Sequence, residues 1–278
     1  MILKHNEMKT ILVATDFSPA SLNAANYAAD MALAIHADLL LLHVYHVPVT
    51  YGEVPVSFNA VDLREDAEKE MTAFKKLLEA KAGNGLNINT MVMLGIFFPE
   101  LKKICDNIHP YAVVMGSQGT TSAERFFFGS HTVFAMKNLQ WPLITVPVGV
   151  KYSAVKKIGL ACDFNKVVDT TPVNEIKMLV KEFNAELYVL NTGKREVFDP
   201  EIVFESGLLQ EMLIDLKPQY HFISSENTDQ GIIDFADKHE IDLLLVLPKR
   251  HGLLEKLIHK SNTKKLVLHS HIPVMALH

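Results

Sequence analysis

The segment Met115–Thr132, MGSQGTTSAERFFFGSHT, holds the residues whose types and spacing best suit chemistry. Gly116 is followed after two residues by Gly119 and after nine more by Gly129 and Ser130. Glycines past the carboxyl end of a strand let the backbone approach a ligand and reach positive φ. A helix N-terminus offers an anion unpaired N–H groups and the positive end of a dipole. The Ser130 hydroxyl adds a donor. Such a loop suits a phosphate chain lying across the carboxyl edge of a parallel sheet, although glycine spacing alone equally describes a plain turn. Other chemistries lack their signatures. There is no G-x4-G-K-[ST], no G-x-G-x-x-G after the first strand and no G-x-S-x-G elbow. His251, His259, His269, His271 and His278 fall in no metal-binding spacing and read as surface or helix-terminal histidines.

The elements that must position this loop are legible in the apolar runs. Thr10–Thr15 (TILVAT) reads as a buried parallel strand ended by Asp16-Phe17-Ser18-Pro19. Ser18 suits the cap and Pro19 the first turn of a helix on which Leu22, Ala25, Ala29, Ala32 and Leu33 recur. Asp38–Tyr45 is a second strand. Leu63, Ala67, Met71, Phe74 and Leu78 form one stripe of a long helix that stops near Gly83-Asn84-Gly85. Ile88–Leu94, Ala112–Met115 and Leu143–Val148 complete five strands, with helices at Pro99–Ile108 and Ser130–Leu139. Alternating strands and helices imply right-handed crossovers and a parallel, doubly wound sheet.

The same order then starts again. Lys156–Cys162 precedes Asp163-Phe164-Asn165, an echo of Asp16-Phe17-Ser18; Glu186–Asn191, Ile241–Leu247 and Pro273–Leu277 echo later strands. Pro142 meets Pro273 at an offset of 131, whereas Asp16 and Asp163 lie 147 apart, so the second copy is 16 residues shorter. The loop after strand two is the expected place of that loss. The chain is therefore read as two tandem α/β, Rossmann-like units, residues 1–150 and 151–278, with five strands evident in the first and four in the second, whose last strands pair across a pseudo-two-fold.

The glycine pattern, the preceding VVMG, the opening ILVATDFS and the LLHV strand together resemble the universal stress protein family in its tandem form, over nearly the whole chain. The resemblance implies that the first unit binds ATP, with Mg²⁺ as an accompanying ion. By the same resemblance Thr15 and Asp16 lie near the ribose or metal-bound phosphates, and the Val44 backbone near the adenine. Met115, Gly116 and Gly119 line the ribose and phosphate track, with Gly129, Ser130, His131 and Thr132 at the phosphates. Gln118 stands where the family often has histidine, which a loop acting through its backbone tolerates. For Asp16 the residue-level alternative is a helix N-terminal charge, worth about 0.3–1 kcal/mol.

In the second copy the offset of 131 puts Leu247, Arg250 and Lys260 in place of the three glycines, with Pro248 inside the loop. That unit is expected not to bind ATP in the family manner but to act as a structural or regulatory partner. Lys249, Arg250, His251, Lys256, Lys260, Lys264 and Lys265 form either a solvated face or a site for another anion or an acidic partner. No general base is evident beside the phosphates, so efficient hydrolysis is not expected; the family implies at most slow ATPase activity or self-phosphorylation.

Composition bounds the remainder. The chain has 278 residues, 49% of them hydrophobic, and a net charge of −5 without the basic excess of a nucleic-acid binder. No apolar run spans a bilayer, the N-terminus does not read as a signal peptide, and two unpaired cysteines, Cys105 and Cys162, read as buried thiols in a reducing, cytoplasmic setting. Two functions are expected to compete: an ATP-dependent switch acting on an unknown protein partner or a homodimer, and a stress scaffold that needs no nucleotide.

Overall fold

The computed structural model describes residues 9–47, 60–117, 131–192, 200–225, 227–248, 266 and 270–278. The first half runs β1 (Thr10–Ala14), α1 (Pro19–Ile35), β2 (Asp38–Tyr45), α2 (Ala60–Ala82), β3 (Ile88–Leu94), α3 (Phe97–Ile108), β4 (Ala112–Gly116), α4 (131–138) and β5 (Leu143–Val146). The second runs β6 (Lys157–Ala161), α5 (Val167–Thr170), α6 (Val173–Phe183), β7 (Glu186–Thr192), α7 (Pro200–Met212), β8 (Gln219–Ile223), α8 (Thr228–His239), β9 (Leu243–Val246) and β10 (Val274–Ala276).

All ten strands form one sheet in the order β3-β2-β1-β4-β5-β10-β9-β6-β7-β8. Every neighbouring pair is parallel except β5 and β10. Side chains alternate between two covered faces, as a parallel sheet requires. Ile11, Val13, Leu39 and Leu41 pack with α1 and with Met71, Phe74 and Leu78 of α2. Leu12, Ala14, Leu40 and Leu42 pack with Leu101 and Ile104 of α3 and Val133 and Met136 of α4. Among the described residues no helix is long and apolar enough to cross a membrane.

The duplication is visible in the register. Ile144 faces Met275, with Leu143 opposite Ala276 and Thr145 opposite Val274. Residues 143–145 of β5 thus meet β10 about a local two-fold that passes between Ile144 and its own counterpart 131 residues on. Ile11 beside Ala112 is repeated by Ile158 beside Leu243, giving offsets of 147 at the first strand and 131 at the fourth. Thr10 beside Asp38 is repeated by Lys157 beside Glu186, and Leu40 beside Asn89 by Tyr188 beside Gln219. The offset therefore falls from 148 to 130 between the second and third strands. The missing residues do not come from the loop alone, as expected from sequence: α7 has 13 residues where α2 has 23.

Helix α1 is continuous for 17 residues, with Ser18 accepting from Ser21 N and Pro19 at its first position. Its counterpart breaks into α5 and α6 at Thr171-Pro172. Proline has no N–H and disfavours the α region in the residue before it, so a helix cannot pass. Two expected strands are also shorter than expected. β5 stops at Val146, before Pro147, whose carbonyl accepts from Asn23 Nδ2 at 3.1 Å. Residues 241–242 precede β9 because the Asp242 carboxylate accepts from Lys156 N and Lys157 N, at 2.8 and 2.9 Å, and caps the linker instead.

Candidate functional site

Strands β1 and β4 are neighbours, yet the chain leaves β1 through α1 on one face and reaches β4 through α3 on the other. That reversal makes the carboxyl ends of the two strands the switch point of the sheet, where doubly wound sheets place their ligands. Asp16 lies just past the end of β1 and Gly116 ends β4. Val44 lies near the carboxyl end of β2, next to β1.

The turn after β1 is built by hydrogen bonds. Thr15 N extends the ladder to Leu42 O at 2.9 Å, and His43 Nδ1 donates to Thr15 O at 2.8 Å. The Thr15 hydroxyl lies 2.9 Å from Ser21 Oγ and accepts from Phe17 N at 3.0 Å. All three polar groups of Thr15 are thereby taken by the protein. Phe17 sits in the left-handed region at φ 65°, costly for a bulky residue, and its ring is held by His43 and Phe74, with centroids 4.3 and 5.8 Å away. Asp16 Oδ1 accepts from Ser18 N at 3.2 Å, which fixes its side chain at the mouth of the turn.

The far side begins with Met115 and Gly116, both buried. A Cβ on Gly116 would stand 3.1 Å from Ala20 O, at the start of α1. Gly116 does not adopt the positive φ expected from sequence; it is bare because α1 presses on β4. Thr132, fully buried on α4, donates from Oγ1 to Gly116 O at 3.1 Å. His131 is exposed beside it, with its ring 5.5 Å from that of Phe97 at the start of α3. Thr15, Asp16, Met115, Gly116, His131 and Thr132 thus lie on the same edge, as does Val44. Gly119, Gly129 and Ser130 lie outside the described residues. Phe17, Ser21 and His43 were not singled out from sequence; the repeated Asp-Phe pair at 16–17 and 163–164 is the signal that marks this turn.

The second half keeps the turn and alters its surroundings. Phe164, at φ 50°, donates its N–H to Cys162 Sγ at 3.4 Å, and Asn191 Nδ2 donates to Cys162 O at 2.8 Å. Cys162 stands where Thr15 does and is only half-buried, whereas Cys105 is buried as expected. Leu247, at the place of Gly116, packs against the core. A leucine could not fit beneath a helix seated as closely as α1; here α5 ends after one turn and the Glu205 carboxylate accepts from Val167 N at 2.7 Å. The cationic segment from Lys249 to Lys265 lies outside the described residues.

The family model for universal stress proteins matches residues 7–147 and again 154–278. The chain belongs to the universal stress protein family. A universal stress protein of Methanocaldococcus jannaschii is 28% identical over 145 residues, which are 51% of this chain and 83% of that one. A universal stress protein from Archaeoglobus fulgidus shares the fold across both halves, with a TM-score of 0.71 at 19% identity, covering 96% of this chain and 95% of its own. A universal stress protein solved in complex with cAMP corresponds to 51% of this chain and 98% of its own, at 22% identity and a TM-score of 0.40. This universal stress protein therefore carries the family domain twice, joined edge to edge by β5 and β10.

Proposed function

We propose that the first half of this universal stress protein binds ATP at the carboxyl edge of β1, β2 and β4, and that occupancy switches the surface offered to a partner. The observation that carries this reading is that Asp16, just past β1, and Gly116, which ends β4 and is bonded to Thr132 of α4, lie at the point where the sheet's connections reverse. In this reading residues 1–150 form the nucleotide-binding unit and residues 151–278 its partner.

The residues have distinct tasks. Thr15 and Thr132, whose hydroxyls are already engaged within the protein, shape the site without touching ligand. Met115 and Gly116 form its floor, the Val44 backbone meets the base, and Gly119, Gly129, Ser130 and the His131 N–H receive the phosphates. Asp16 supplies one carboxylate. Mg²⁺ keeps several waters and leans on nucleotide phosphates, so one carboxylate fits its needs; among the described residues no cluster of three ligating side chains would hold a metal without nucleotide. The bound ion would neutralise phosphate charge.

A nucleotide-independent scaffold draws support from one fact: contact with Ala20 explains Gly116 without any ligand. It leaves Gly119, Gly129 and Ser130 without a reason. The test is the melting temperature of the full chain with and without ATP, in wild type and in Gly129→Lys, which copies the second half. ATP at one hundred times its Kd stabilises by about 2.7 kcal/mol and should raise the wild-type transition alone. A wild type indifferent to millimolar ATP would favour the scaffold.

A further inference from the structure

We infer that His278 of the second half is a positioning residue for the nucleotide site of the first, acting through α4; this rests on the ATP reading above. Helix α4 spans 131–138, about 12 Å at 1.5 Å per residue. Its first described residues, His131 and Thr132, stand at the candidate phosphate site. At its other end Leu139 N bonds to Ala135 O at 2.8 Å, and the next carbonyl, Met136 O, is met by His278 Nε2 at 3.0 Å. The last carbonyls of a helix have no donor within it, and an imidazole N–H placed there both satisfies one and opposes the negative end of the dipole. Because a carbonyl only accepts, Nε2 carries the proton.

His278 follows β10, which pairs with β5, and its neighbour Leu277 donates to Val246 O at 3.1 Å. The end of α4 is therefore held from the opposite half of the molecule. At the equivalent place, 131 residues earlier, the first half has Pro147, whose side chain has no donor. The half without the glycine loop thus steadies the helix of the half that has it. A pre-seated α4 lowers the ordering cost of gripping phosphates at its start, so the second half raises nucleotide affinity without touching nucleotide.

The test uses the full chain with His278→Ala and His278→Gln. In the absence of nucleotide, amide exchange at Leu139 should accelerate at least tenfold in His278→Ala and stay near wild type in His278→Gln, whose side-chain amide can still donate. The Kd for ATP should rise roughly three- to tenfold in His278→Ala and recover in His278→Gln. Unchanged exchange, or unchanged affinity in an ATP-binding wild type, overturns the inference. Altered exchange in a chain that never binds ATP overturns the nucleotide reading instead and removes the role assigned to the link.

Discussion

The Thr132 hydroxyl donates to the Gly116 carbonyl across 3.1 Å, so the segment bearing Gly119, Gly129 and Ser130 leaves and re-enters the fold at one point beside Asp16. Both partners are buried, and neither has water as an alternative. Thr132→Val keeps the shape and leaves the Gly116 carbonyl without this donor. Urea unfolding should show a loss of about 1–3 kcal/mol, with Thr132→Ser largely restoring it. Equal stability of Thr132→Val and wild type would mean that the bond contributes nothing.

Gly116 is held to glycine by the Ala20 carbonyl, 3.1 Å from where a Cβ would stand. Gly116→Ala should cost about 1–3 kcal/mol, because the obstructing atom is helix backbone rather than the tip of a flexible side chain. Gly116→Leu, which copies Leu247, should yield little folded protein. Thermal melts and soluble yield decide it; a tolerated leucine would show that α1 can lift from β4.

Ile144 and Met275 meet on the local two-fold that joins the halves. Both are nearly fully buried, so Met275→Ala should cost about 2–5 kcal/mol. If the ten strands unfold as one body, calorimetry of wild type will give a single transition whose calorimetric and van't Hoff enthalpies agree. Two separated transitions in wild type would count against a single cooperative sheet.

Burial, reinforced by the Asp106 charge, pushes the Cys105 thiol up from 9.0 to about 12. The folded state therefore holds this proton more tightly than the unfolded state does. The resulting stability is intact below about pH 9 and is lost as pH rises through about 12. The stability advantage of wild type over Cys105→Ala should accordingly shrink between about pH 8 and about pH 11. Cys105 should also resist alkylation until the protein is unfolded. A difference that does not change with pH would mean that the thiol is solvated.

Much of this architecture is legible in the residues, and the exceptions have physical causes. Asp38–Tyr45 and Ile88–Leu94 can be read to the residue because turn-forming or charged residues flank an extended run. The offset between Pro142 and Pro273 carries directly into the pairing of Ile144 with Met275. Strand β8, QYHFI, is not legible, because an edge strand with half-exposed Tyr220 and His221 shows no apolar run. The break before Pro172 is local and readable in principle, but the parallel with α1 argues for a continuous helix. Gly116 is legible as a special position for the wrong reason: the sequence pattern suggests a ligand or a positive φ, whereas the neighbour that requires glycine, Ala20, is distant in sequence. The left-handed Phe17 is hidden in the same way, since its support comes from His43 and Phe74.

The central claim is one nucleotide site per chain, in the first half. Isothermal titration of the full chain with ATP and Mg²⁺ tests it most directly. Saturation at one ATP per chain, abolished by Gly129→Lys and unaffected by substitutions in the second half's Asp163 turn, is the predicted result. No binding, or two equivalent sites per chain, would contradict it.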